Sequence, residues 1–138
     1  MKGFASVYEQ YEEKTEPKIN LVVRAYDKIV ELLEDAAASI EKNDIESKGQ
    51  AISRAIEIIS ELMAALDFEK GKQISVGLQN IYIFSLNQLM ESNTKNDPQI
   101  LRKLAEIYRD LNTAWRKVAQ DYYQKATTNK ELLLNAGV

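Results

Sequence analysis

A chain of 138 residues with a formal charge of −3, 45% hydrophobic and 28% charged side chains, two prolines and five glycines is long enough for one domain with an ordinary core. It contains no cysteine and no histidine, which excludes disulfides, thiolate metal sites, thiol nucleophiles and imidazole bases or ligands. The charge provides no basic field for nucleic acid, and no stretch approaches the ~18 consecutive apolar residues of a membrane span.

Phe4, Val7, Tyr8 and Tyr11 fall on one side of a short N-terminal helix, too brief to persist unless it leans on the rest of the chain. The opening MKGFASVYEQY lacks the apolar run of a signal peptide, so the expected location is the cytoplasm. Pro17 suits a first-turn position, and a helix is predicted from there to about Lys42, with Val22, Tyr26, Ile29, Leu33, Ala36 and Ile40 on one face. Asn43 is expected to cap the next helix, with Glu46 answering it as in a capping box. That helix should run to about Leu66 with Ile45, Ile52, Ala55, Ile59, Leu62 and Leu66 inward.

A corner follows at Leu66-Asp67-Phe68-Glu69-Lys70-Gly71, where Gly71 is expected to supply a backbone conformation that side chains resist. The next helix starts at Gln73 and carries no charge through Met90; Ile74, Leu78, Ile81, Ser85 and Leu89 are placed on its inner face. Asp97-Pro98 reads as a cap followed by a first-turn proline, opening a helix with Leu101, Leu104, Tyr108, Leu111, Trp115 and Val118 inward. Residues 121–125 extend it, and the segment from Ala126 reads as a polar hinge and a short apolar run. Tyr26, Tyr82 and Tyr108 are expected to be half-buried with their hydroxyls at a wet edge. The fold class is all-α: an antiparallel up-down four-helix bundle with a short extra N-terminal helix, residues 1–125 forming the domain and 126–138 a mobile C-terminal tail.

The apolar content exceeds what such a bundle needs. Ile19, Val23 and Val30 lie off the main stripe of the first long helix, Ile56, Ile58, Met63 and Ala65 off that of the second, and Val76, Ile83, Leu86 and Met90 off that of the third. A helix apolar nearly all round is buried on more than one side. Either the third long helix is the central one of the bundle, or its second face and those of its neighbours form grooves for a partner's amphipathic helices. A di-iron carboxylate enzyme on this scaffold would require Glu-x-x-His on two helices, which a chain without histidine cannot provide. No catalytic residue, metal ligand or cofactor site is assigned.

The uncharged run with its Leu-Asp-x-Glu-x-Gly corner, the Asn93 to Asp97 loop, Ala114-Trp115, the segment from Asn43 to Leu62 and the paired Tyr8 and Tyr11 together resemble the flagellin-specific export chaperones of the FliS family, over residues 4 to 118. The resemblance implies a non-catalytic binding module whose partner is the disordered C-terminal segment of flagellin, folding into helices on the chaperone's flanks. It names the flagellar export gate and other flagellar regulators as further candidate partners, and implies neither nucleic-acid binding nor membrane insertion. It favours the groove reading, with Tyr8, Tyr11, Val23, Val30, Ile58, Ala65, Ile83, Leu86 and Met90 as candidate partner-binding residues. The alternative is a helical adaptor or oligomerisation protein with no flagellin client, burying the same faces against a copy of itself.

Overall fold

The computed structural model of the chain describes residues 18–137. The short helix expected around Phe4 to Tyr11, and Pro17 with it, lies outside the described residues. Those described are all-α: α1 (Lys18–Glu41), α2 (Ile45–Ala64), a single turn α3 (Phe68–Gly71), α4 (Gln73–Lys95) and α5 (Pro98–Asn135), with no strand among them. They divide into two compact units. One is Ala25–Leu111; the other takes in the described residues up to Arg24 and from Asn112 on.

Within 25–111 the helices pack as a bundle in antiparallel pairs. Glu41, at the end of α1, meets Arg102 at the start of α5, and two turns further along each helix Glu34 meets Arg109 at 3.1 Å. Against α4, α2 runs the same way, because Lys48 in its first turn reaches the last turn of α4. Aliphatic side chains of α1, α2 and α5, among them Ile29, Leu33, Ile59, Leu101 and Leu104, fill the centre. The contribution of α4 is different in kind. Its buried face is Ser75, Tyr82, Ser85, Leu89 and Ser92, so hydroxyls outnumber aliphatic groups on the side that faces the core. Each serine is satisfied, Ser75 Oγ by the Asp67 carbonyl at 2.8 Å, and Ser85 and Ser92 by donating to carbonyls of the preceding turn at 2.7 and 3.0 Å.

The three tyrosines are fully buried, and none lies at a wet edge. The Tyr26 and Tyr82 hydroxyls are 2.6 Å apart, while Tyr108 donates to Ser85 Oγ at 2.8 Å, and the Tyr26 and Tyr108 rings pack at 5.2 Å between centroids. Mutual hydrogen bonding replaces water, which is what allows phenols to enter a core. Burial pushes the Tyr82 and Tyr108 phenols well above their ordinary range.

The turns correct three expectations. Asn43 takes a left-handed backbone (φ 57°), and the cap of α2 is Asp44, whose carboxylate accepts from the Ser47 amide at 3.1 Å. Asp44 wins because its side chain sits one residue nearer the free amides, leaving Asn43 the left-handed turn that asparagine tolerates. At the corner, Asp67 accepts from the amides of Glu69 and Lys70 at 3.0 Å. The positive φ falls on Lys72 (47°) and not on Gly71. Gly71 answers a steric need instead, since a Cβ there would sit 2.0 Å from Ser75 Oγ. Third, α5 runs unbroken through Ala126 to Asn135, where a polar hinge was expected. The Asp97-Pro98 start of α5 is as expected, Asp97 accepting from the Gln99 amide at 2.9 Å.

Lys48 is 5% exposed; its ammonium donates to the Asn93 carbonyl at 3.2 Å and to Asn96 Oδ1. It thereby places a cation where the last carbonyls of α4 carry partial negative charge, and Asn96, in the left-handed conformation, ends that helix. Lys48→Met keeps the stem and removes the charge-assisted bonds, so urea unfolding should show a loss of about 1.5–3 kcal/mol with helix content unchanged.

In the second unit, Asn20 Nδ2 donates to the Tyr123 hydroxyl and Asn112 Nδ2 to the Val23 carbonyl at 3.4 Å. Trp115 is half-buried and Val118 exposed, so α5 does not present the continuous inward stripe expected beyond Leu111. No helix among the described residues is long and apolar enough to cross a membrane.

Candidate functional site

Because α4 spends hydroxyl side chains on its buried face, several of its large apolar residues face outward. Ile74, expected in the core, is 69% exposed, and Val76, Ile83, Phe84 and Met90 are exposed as well. Where α4 lies along α2 this outward face becomes concave. Ile56 from α2 and Ile83, Leu86, Asn87 and Met90 from α4 enclose a groove of about 300 Å³. Its walls are aliphatic except for the single carboxamide, and no charged side chain lines it.

Of the candidate residues, the fold therefore gathers Ile83, Leu86 and Met90 into one surface. Ile83 is 45% and Met90 57% exposed, with the half-buried Leu86 as floor. Ile58 lies elsewhere: it is 7% exposed and belongs to the buried stripe of α2, next to Ile59. Its off-stripe place in the sequence misleads because α2 is covered over a wider arc than one stripe. Ala65 is exposed and ends α2, where its amide bonds back to the Glu61 carbonyl at 3.1 Å. Val30 is half-buried on α1. Val23 belongs to the other unit, where it lines a cleft of about 390 Å³ with Asn20, Arg24, Arg116, Ala119, Gln120 and Tyr123. Tyr8 and Tyr11 lie outside the described residues.

Two groove residues, Ile56 and Asn87, were not among the candidates. Ile56 carried a usable signal, as an apolar residue off the main stripe of its helix. Asn87 carried none, since an isolated asparagine in a helix reads as solvated surface. Chemically, the arrangement has no nucleophile, base or electrophile within the groove. It can remove apolar surface from water, and it offers one amide as donor and acceptor.

The family model described as "Flagellar protein FliS" matches residues 1–122. The flagellar secretion chaperone FliS of Vibrio cholerae is 34% identical over 94 residues, which cover 68% of this chain and 69% of that protein. For the flagellar secretion chaperone FliS of Salmonella typhimurium the identity is 32% over 100 residues, covering 66% and 74%. For that of Bacillus subtilis it is 26% over 115 residues, covering 83% and 85%.

Proposed function

The chain belongs to the FliS family of flagellar secretion chaperones, which are not enzymes, and from that premise we propose that it binds the disordered C-terminal segment of a flagellin in the cytoplasm and keeps it unpolymerised for export. The observation that carries this reading is the uncharged groove of Ile56, Ile83, Leu86, Asn87 and Met90, an apolar surface left open by a helix whose core face is largely hydroxylic. An unfolded segment entering it gains roughly 25 cal/mol for each Å² of apolar area removed from water and loses the entropy of becoming helical. The balance gives moderate affinity over a long contact, which suits a chaperone that must release its client.

The antiparallel pairs within 25–111 are read as one up-down four-helix bundle. Residues 1–125 are taken as the chaperone domain and 126–138 as a C-terminal extension that is helical as far as Asn135, in which Leu132 and Leu134 are exposed. Delivery for export calls for contact with the flagellar export gate, and coordination with other flagellar regulators; both are proposed from the family role alone. Calorimetry with the C-terminal peptide of the flagellin from the same genome should give a 1:1 complex with a negative heat-capacity change, and far-UV circular dichroism should show added helix. No heat and no gained helicity at tens of micromolar would contradict the reading.

A further inference from the structure

The open seam of α4 repeats in sevens. Val76, Asn80, Ile83, Asn87, Met90 and Thr94 follow one another at alternating steps of four and three, and all are exposed. Such steps average 3.5 residues, the period at which one helix keeps the same stripe against a second helix wound about it. Apolar side chains hold one position of this repeat, at Val76, Ile83 and Met90. Asparagines hold the other, at Asn80 and Asn87. Neither carboxamide is engaged in a hydrogen bond within the described residues.

The charge pattern restricts what can lie there. The run from Gln73 to Met90 carries no charge, so a charged side chain on the occupant's seam would be desolvated without a counter-ion. An occupant seam made only of leucines would bury Asn80 and Asn87 unsatisfied. The chemistry that satisfies both conditions is an uncharged helix with apolar residues every seven positions and carboxamide or hydroxyl side chains between them.

We infer that Asn80 and Asn87 set the register of the bound helix, the occupant being the flagellin segment in helical form with a carboxamide or hydroxyl facing each of them. The inference rests on the groove reading above. A slip along the seam leaves the asparagines opposite apolar side chains, and each such mismatch should weaken the slipped complex by about tenfold. Selectivity thus comes from disfavouring wrong registers and wrong clients more than from strengthening the right one.

The absence of cysteine in the chain makes the register measurable. Thr94→Cys places a single thiol on the exposed end of the seam. Peptides of the flagellin C-terminal segment, each with one cysteine moved stepwise along it, are equilibrated with this variant in a glutathione buffer and the disulfide yield is read by mass. With Asn80 and Asn87 present, yield should peak at one peptide position. Adding Asn80→Leu and Asn87→Leu should spread it to positions three or four residues away on either side. The same change should tighten binding of a designed helix with leucine throughout its seam by about a hundredfold relative to the flagellin peptide, tenfold for each asparagine replaced. Circular dichroism on each variant confirms that these surface substitutions leave the fold in place. A single unshifted peak in both backgrounds, or a broad distribution already present with the asparagines, overturns the register role while leaving the groove reading standing. Failure of the Thr94→Cys chain to bind any peptide of the set, when the unmodified chain also binds none, overturns the groove reading and the register role together.

Discussion

Tyr26→Ala is expected to destabilise the chain by about 3–5 kcal/mol, the range for removing a fully buried aromatic ring, and to lower the thermal midpoint by about 10 °C or more. Tyr26 is fully buried, packs on both Tyr82 and Tyr108, and has its hydroxyl 2.6 Å from that of Tyr82. The truncation therefore opens a cavity and also removes a hydrogen-bond partner from a buried phenol. Tyr108→Phe keeps the ring and loses only the bond to Ser85 Oγ, for about 1 kcal/mol. Leu78 and Leu111, which periodicity assigns to the core, are half-buried, so their alanine variants should fall well short of Tyr26→Ala in urea unfolding. Equal losses at Leu78 and Tyr26 would contradict the placement of the core. The phenols also set an alkaline limit. Their folded values are raised, so their contribution is complete below the ordinary phenol value of about 10 and is lost as pH rises above it.

Ile83→Asp and Met90→Asp should act on binding and spare folding. Each residue is about half exposed, so a carboxylate there remains hydrated in the free chain. In the complex it would be desolvated against an apolar helix, weakening flagellin binding by about 2–4 kcal/mol. Calorimetry paired with thermal unfolding of the same variants separates the two effects. Variants that unfold early, or that bind as tightly as the parent chain, would show that the face of α4 carrying these residues is core in one case and unused surface in the other.

The corner between α2 and α4 and the start of α5 were legible because they rest on local chemistry, the glycine-bearing run after Leu66 and Asp97 before Pro98. The faces of α1 and α5 up to Tyr108 were legible because aliphatic residues there recur at helical spacing and are buried. The face of α4 was not. Hydrophobicity assigns Ile74 inward and gives no reason to bury Ser75 and Ser92, yet close packing and carbonyl partners put the serines inside and leave Ile74 in water. The same inversion explains the site. Surplus apolar residues signalled a second face, and Ile83, Leu86 and Met90 do converge. Which off-stripe residue joins them depends on how α2 packs, and that places Ile56 in the groove and Ile58 in the core. The length of α5 was missed because the polar run Ala126-Thr127-Thr128 contains neither glycine nor proline to stop it.

The most direct test of the groove reading is the methyl resonance of Met90, one of only three methionines in the chain, observed by NMR while the flagellin C-terminal peptide is titrated into methyl-labelled protein. Docking between α2 and α4 predicts that this signal shifts saturably, with the dissociation constant found by calorimetry and a 1:1 end point. A Met90 methyl signal that does not move when calorimetry shows the protein saturated would contradict it.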